Sequence, residues 1–267
     1  MGNRSSTTKL TFHLVRNKQE AESLLQEAEH NDFYLEECYD NLSNQNARKA
    51  LSYSARAISQ EDGDKYQLQL TQMLAQLPQR LRADLQVVNV IPLMPSADGG
   101  MPHTRPFNLL CAPRLELLDS IVTLRHELWH IHQRMYGLQW MEVFRKLGWN
   151  MWTGHLPASL DEHRRINPDT VDAPLWIYQD TWVPVPIFRD IRSPVISEVD
   201  MWFYNIKDKH HVRQIPDAIL RDFPSLPLSA YEHPRELTAY LLADPDMYRE
   251  LPGFKTLVSL IGQVSII

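Results

Sequence analysis

The stretch from Leu115 to Met135, LELLDSIVTLRHELWHIHQRM, constrains this chain more than any other part of it. Leu117, Leu118, Ile121, Val122, Leu124, Leu128 and Ile131 make a broad apolar surface on a helical period. A helix of that character is a core element, and the spacing predicts it over about 115–135, closed by Gly137. Its second half carries HELWH, His126 to His130. Positions i and i+4 share one face, so both imidazoles can be presented to a single cation. The alternative, two polar residues on a solvated face, fits poorly with Trp129 and Ile131, which continue the apolar character around the motif.

Imidazole suits a borderline metal such as zinc, and three protein ligands leave one coordination position for water. Zinc moves the pKa of bound water from about 15.7 towards about 7, so a nearby carboxylate can complete its deprotonation at neutral pH. Glu127, beside the first histidine, is placed for that task and is not itself a ligand. One zinc ion per chain is therefore expected, held by His126, His130 and a third residue. A histidine six residues after His130, the metzincin arrangement, is missing because Tyr136 stands there. Cys111 in NLLCAP would serve as in peptide deformylases, but their glycine-rich and glutamine-containing motifs are absent, and a lone cysteine is more often a small buried hydrophobe. Glu236, in YEHPRELTAYLLAD, is the favoured third ligand. Pro234 suits the first helical position, and the small Ala239 permits close approach to the HELWH helix. A glutamate there also serves as an ordinary helix-start residue, and Glu232 competes from before the proline.

With these residues the chain resembles the gluzincin zinc metallopeptidases, in which HExxH and a glutamate on a later helix hold the metal. The resemblance implies His126, His130 and Glu236 as ligands and Glu127 as general base. MPHT, HELWHIHQ, INPDT and HPRELTAY, across about 103–242, also resemble uncharacterised zinc-peptidase-like proteins of large DNA viruses of algae and amoebae. Two departures stand out. Just over a hundred residues separate His130 from Glu236, and Tyr240 occupies the position where thermolysin-like members carry an aspartate that orients a ligand histidine. Asp169 and Asp244 are the candidates for that orienting role. In the resembling fold the strand before the active-site helix borders the cleft. This places segment 107–111 there for pairing with an extended peptide, with Asn108 and Leu110 contacting substrate and His103 and Thr104 lining the cleft. Tyr240 leads the candidates for oxyanion donor, ahead of His233, Tyr231, His155 and His163. INPDT reads as a turn, with Asn167 and Asp169 bonding local backbone.

The remainder predicts an α+β fold: a zincin-like core, with a small sheet on the HExxH helix and a later glutamate helix, plus an N-terminal helical layer. The organisation expected is a single domain over 1–267, with strand and helical layer in 1–84 and metal-binding core in 85–267. Strands are expected at 9–16, 85–93 and 107–111, as a pair around Gln179–Thr181 whose prolines mark an edge, and at 198–206. Helices are expected over about 19–30, 46–59, 65–81, 138–147, 234–244 and 253–263.

A net charge of −6 argues against a nucleic-acid binder, and a peptide or protein substrate is the partner that the resemblance to zinc metallopeptidases implies. Two distant cysteines make no disulfide framework and point to a reducing, cytoplasmic compartment. The start, MGNRSS, fits N-myristoylation at Gly2, which would require a eukaryotic host cell. One acyl chain gives weak membrane association, with Arg4 and Lys9 as a minor second signal. A membrane- or virion-associated zincin scaffold that binds zinc and turns over nothing is the competing expectation.

Overall fold

Two sheets and the helices between them organise the chain in the computed structural model, which describes residues 10–263. In chain order the elements are β1 (Thr11–Leu14), α1 (Lys18–Asp32), α2 (Tyr34–Asp40), α3 (Leu42–Arg48), α4 (Gln60–Met73), α5 (Gln79–Asp84), β2 (Val87–Pro92), β3 (His103–Arg105) and β4 (Leu109–Ala112). Then come α6 (Ile121–Met135), α7 (Gly137–Lys146), β5 (Trp149–Met151), α8 (Ala158–Asp161), β6 (Trp176–Tyr178), β7 (Trp182–Phe188), β8 (Val199–Asn205) and β9 (His210–Val212). The chain closes with α9 (Asp217–Asp222), α10 (Pro234–Ala243), α11 (Pro245–Tyr248) and α12 (Pro252–Gln263). The fold is α+β. No helix among the described residues is long and apolar enough to cross a membrane.

The first sheet runs β1-β2-β4-β3, with β1, β2 and β4 parallel and β3 antiparallel to β4. Parallel neighbours need a crossover, which α1 to α5 supply between β1 and β2. Phe12, Leu14, Val88, Val90 and Leu110 pack with Leu124 and Leu128 of α6, while Ile91, Leu109 and Cys111 pack with Ala21, Leu25 and Ala28 of α1. Burial on both faces explains why β2 reads as an almost unbroken apolar run. Segment 107–111 does not border a cleft as an edge strand. Phe107 and Asn108 form the turn, at φ 64° and 57°, and β4 lies between β2 and β3. The edge is β3, too short and polar to stand out by periodicity.

The second sheet, β5-β6-β7-β8-β9, is antiparallel throughout. Trp176, Tyr178, Met201 and Phe203 join the same buried cluster as the first sheet and α6, so the largest core is shared by both sheets. Strand β7 is interior in strand order, contrary to the edge position its prolines suggested. It meets β6 only at Trp182, so Pro184 and Pro186 lie where no β6 residue is left to receive an N–H.

The N-terminal region is helical, but with different boundaries from those the spacing suggests. The expected helix over 46–59 is absent, because α3 ends at Arg48 and the following segment is extended. There Ala55 bridges to Leu93, its N–H donates to Glu22 Oε1, and the Arg56 N–H donates to the Pro92 carbonyl. Sheet contacts outweigh the local helical preference of an alanine-rich stretch. The expected helix over 65–81 is instead α4 and α5, separated at Pro78, whose ring fits only a helix start. Arg105 of β3 ties the layer down, its Nη2 lying 2.6 Å from Asp32 Oδ1 and 2.7 Å from Glu29 Oε2.

Candidate metal centre

Two helices position the site. Helix α6 begins at Ile121 and not Leu115, because Ser120 caps it by accepting the Thr123 N–H at 3.3 Å and residues 115–119 form a 3-10 turn. Gly137 does not close it but opens α7 after a break at Tyr136. Helix α10 starts with Pro234 at its first position, and the His233 imidazole accepts the Arg235 N–H at 3.0 Å. Ala239 is fully buried, and α10 packs along α6.

His233 itself is buried and donates from Nε2 to the Ala173 carbonyl at 2.8 Å, so both ring nitrogens are used with one proton between them. Burial, reinforced by the Arg235 charge, pushes its pKa down to about 3. Below about pH 6.5 the unfolded chain takes up a proton that the folded chain refuses, so stability falls on acidification until about pH 3. At about 1.36 kcal/mol per pH unit, this amounts to ~2 kcal/mol lost by pH 5. Urea unfolding of the metal-free chain at pH 7 and 5 should show that loss, and His233→Asn should lack it; equal losses in both would refute the assignment.

One face of α6 meets the start of α10 in a compact donor set. His126 Nε2 and His130 Nε2 lie 3.0 Å apart, and Glu236 Oε2 is 3.3 Å from the first and 3.5 Å from the second. Among the described residues these three form the group of His, Cys, Asp or Glu side chains placed to hold a metal, with ligand atoms within 4.8 Å of one another. Tetrahedral zinc at about 2.0–2.1 Å from each ligand spaces ligand atoms by roughly 3.3 Å, so the set fits that ion in both donor type and spacing. Burial works against charge on His130, but Glu236 and Asp169 outweigh it and raise its pKa to about 9. Burial likewise opposes ionisation of Glu236, yet the two imidazoles hold its carboxyl well below the usual range. A metal therefore has to expel the His130 proton, and its affinity should climb with pH up to about 9.

Outer residues fix the orientation of two ligands, and the sequence reading missed both. His130 Nδ1 donates to Gln133 Oε1 at 2.9 Å, leaving Nε2 as the free lone pair. Gln133 Nε2 donates to the Arg235 carbonyl and to Thr238 Oγ1, both at 3.0 Å, joining the two ligand helices. Asp169 and Asp244 do not orient a histidine. Asp169 accepts from Thr104, and Asp244 caps α11. Asn167 donates to Glu236 Oε1 at 3.0 Å, so that Oε2 is the oxygen turned to the imidazoles. INPDT is a turn as expected, with the Asp169 N–H on Asn167 Oδ1, but its side chains also reach outward. Glu232 is not in the donor set; it pairs with Arg165 and accepts from Asn167 at 3.2 Å. Gln133 stands one turn after His130 on the same face, the one signal that could have found it. Gln133→Leu should weaken zinc binding by about 10–100-fold, while Gln133→Glu, which keeps the acceptor, should lose less. Chelator competition measures both, and equal losses would refute the orienting role.

A cavity of about 310 Å³ opens beside the donor set, lined in part by Glu127, His103, Asn167, Asp169 and Tyr240. Glu127 is buried, and its Oε2 has no hydrogen-bond partner among the described residues. Burial, then the charges of Asp169 and Glu236, raise its carboxyl well above the usual range in the metal-free chain; a dication at the ligands opposes that shift. The Tyr240 hydroxyl lies 3.0 Å from Ser229 Oγ, and its ring meets His126 edge-on at 4.7 Å. Burial and the nearby Glu236 raise its pKa, so it stays a donor.

The other expected site residues are dispersed. His103 lines the cavity, with Nε2 accepting from the Tyr53 hydroxyl at 2.8 Å. Thr104 is buried and outside the lining, its N–H and hydroxyl both on Asp169. Asn108 is in the hairpin turn, donating to the Val87 carbonyl, and Leu110 is core. Cys111 faces α1 on the opposite side of the sheet from α6, which removes the deformylase-type alternative. Tyr231 donates to the Phe223 carbonyl, His163 contacts Ser43, and neither these nor His155 and His233 line the cavity. Gly2 lies outside the described residues. No protein-family model, curated protein or solved structure matches the chain.

Proposed function

We propose that the chain is a zinc-dependent metallopeptidase with a zincin-like core, in which α6 and α10 carry the metal and β3 flanks the cleft. The observation that carries this reading is that His126, Glu236 and Glu127 line one cavity, with His130 completing the donor set and Glu127 Oε2 unpartnered among the described residues. A purely structural zinc site has no use for such a group, and burying it is costly. Zinc, when bound, supplies a Lewis acid that polarises the scissile carbonyl and acidifies water. Glu127 accepts the proton from the attacking water and returns it to the departing amine. Tyr240, held near the ligands by Ser229, donates to the carbonyl oxygen as charge gathers there. Gln133 and Asn167 keep the His130 and Glu236 donor atoms aimed. Metal analysis of the purified chain, followed by a peptide-library digest beside Glu127→Gln, tests the proposal. A zinc-loaded chain that cleaves nothing would leave the catalytically silent scaffold as the better reading.

A further inference from the structure

The edge of the first sheet beside the cavity offers no N–H to a substrate. The Thr104 N–H points away from β4 and is bound by Asp169 Oδ1 at 2.8 Å, while the Thr104 carbonyl accepts from Arg134 Nη2 at 3.4 Å. Backbone direction alternates along a strand, so residues 102 and 106 share the orientation of Thr104. Both are prolines and carry no N–H. The plug is anchored, because the Asp169 carbonyl accepts from Arg235 Nη1 at 2.9 Å and its N–H is held by Asn167. Strand addition needs a row of free donors and acceptors, and none of the donors remains here.

The space next to the metal ligands is correspondingly small. At about 310 Å³ the cavity lies at the lower end of small-molecule sites. Met101, Val122, Ile166 and Ile196 give it apolar walls. Resting on the metallopeptidase reading, we propose that the site takes short acyl amides and chain ends, one apolar residue on the acyl side filling the cavity. An extended polypeptide laid along β3 is not its substrate. Specificity then comes from side-chain fit at one residue, since the pairing that would read a longer segment is consumed internally by Asp169 and Arg134.

The test uses the zinc-loaded full chain and three probes: leucine hydroxamate, and the same compound lengthened by one and by four N-terminal alanines. Neither longer probe should bind more tightly than leucine hydroxamate, because added residues find no edge to pair with. Affinity rising by about tenfold or more with length, the worth of a pair of backbone hydrogen bonds, would overturn the inference and leave the metal centre intact. If none of the three binds, the metal-centre reading fails and this inference with it. Digestion of a long unstructured peptide separates the two substrate sources. Stepwise release of single residues indicates chain ends, and cleavage confined to dipeptides and amino-acid amides indicates free small amides. Internal fragments count against the inference.

Discussion

Glu127→Gln is expected to retain zinc with unchanged affinity while losing about 10²–10⁴-fold in kcat/KM on any peptide the unaltered chain cleaves. The substitution keeps shape and burial but removes the group that can hold a proton. Glu127 is not among the three donor atoms, so metal content should stay the same. Its Oε2 makes no hydrogen bond among the described residues, so the loss cannot be attributed to a broken structural contact there. Zinc content by atomic absorption, beside steady-state kinetics, reads the two effects separately. Full hydrolysis by the variant would sink the mechanism, and loss of zinc would place Glu127 among the ligands.

Removing the third ligand should produce the converse pattern. Glu236→Ala should weaken zinc binding by more than about 100-fold, beyond the 10–100-fold typical of losing an outer partner. A second readout does not need the metal. Glu236 is the largest influence lifting the His130 pKa to about 9 against burial, so without it the imidazole titrates lower, with Asp169 and Glu127 left to oppose burial. His130 protonation followed by NMR in the metal-free chain should show the fall. The rise of zinc affinity with pH, which in the unaltered chain continues to about 9, should end correspondingly lower in the variant. Unchanged zinc affinity would redirect the search to Glu232, which is buried two residues before Pro234 and pairs with Arg165.

Elements whose pattern is local were legible from residues alone. Helix α6 announced itself by apolar spacing, β8 by its run of β-branched and aromatic residues, and α10 by a proline at its first position. The boundaries that slipped did so where a distant contact overrode local preference. Ser54 and Arg56 gave up helix for backbone bonds to Met94 and Pro92, and segment 109–112 became interior because a hairpin folded β3 outside it.

The sequence by itself determined the two histidines, the base beside them and a glutamate at a helix start, because helical periodicity brings residues four apart to one face whatever the rest of the chain does. Only the tertiary structure decided that Glu236 Oε2 reaches those histidines, that Gln133 and Asn167 aim the donor atoms, and that Asp169 closes the β3 edge. Each of the contacts to Glu236 and Thr104 joins segments at least 65 residues apart, and Gln133 reaches α10 across more than a hundred. Such contacts depend on how packed helices and sheets settle against one another, which no local period encodes.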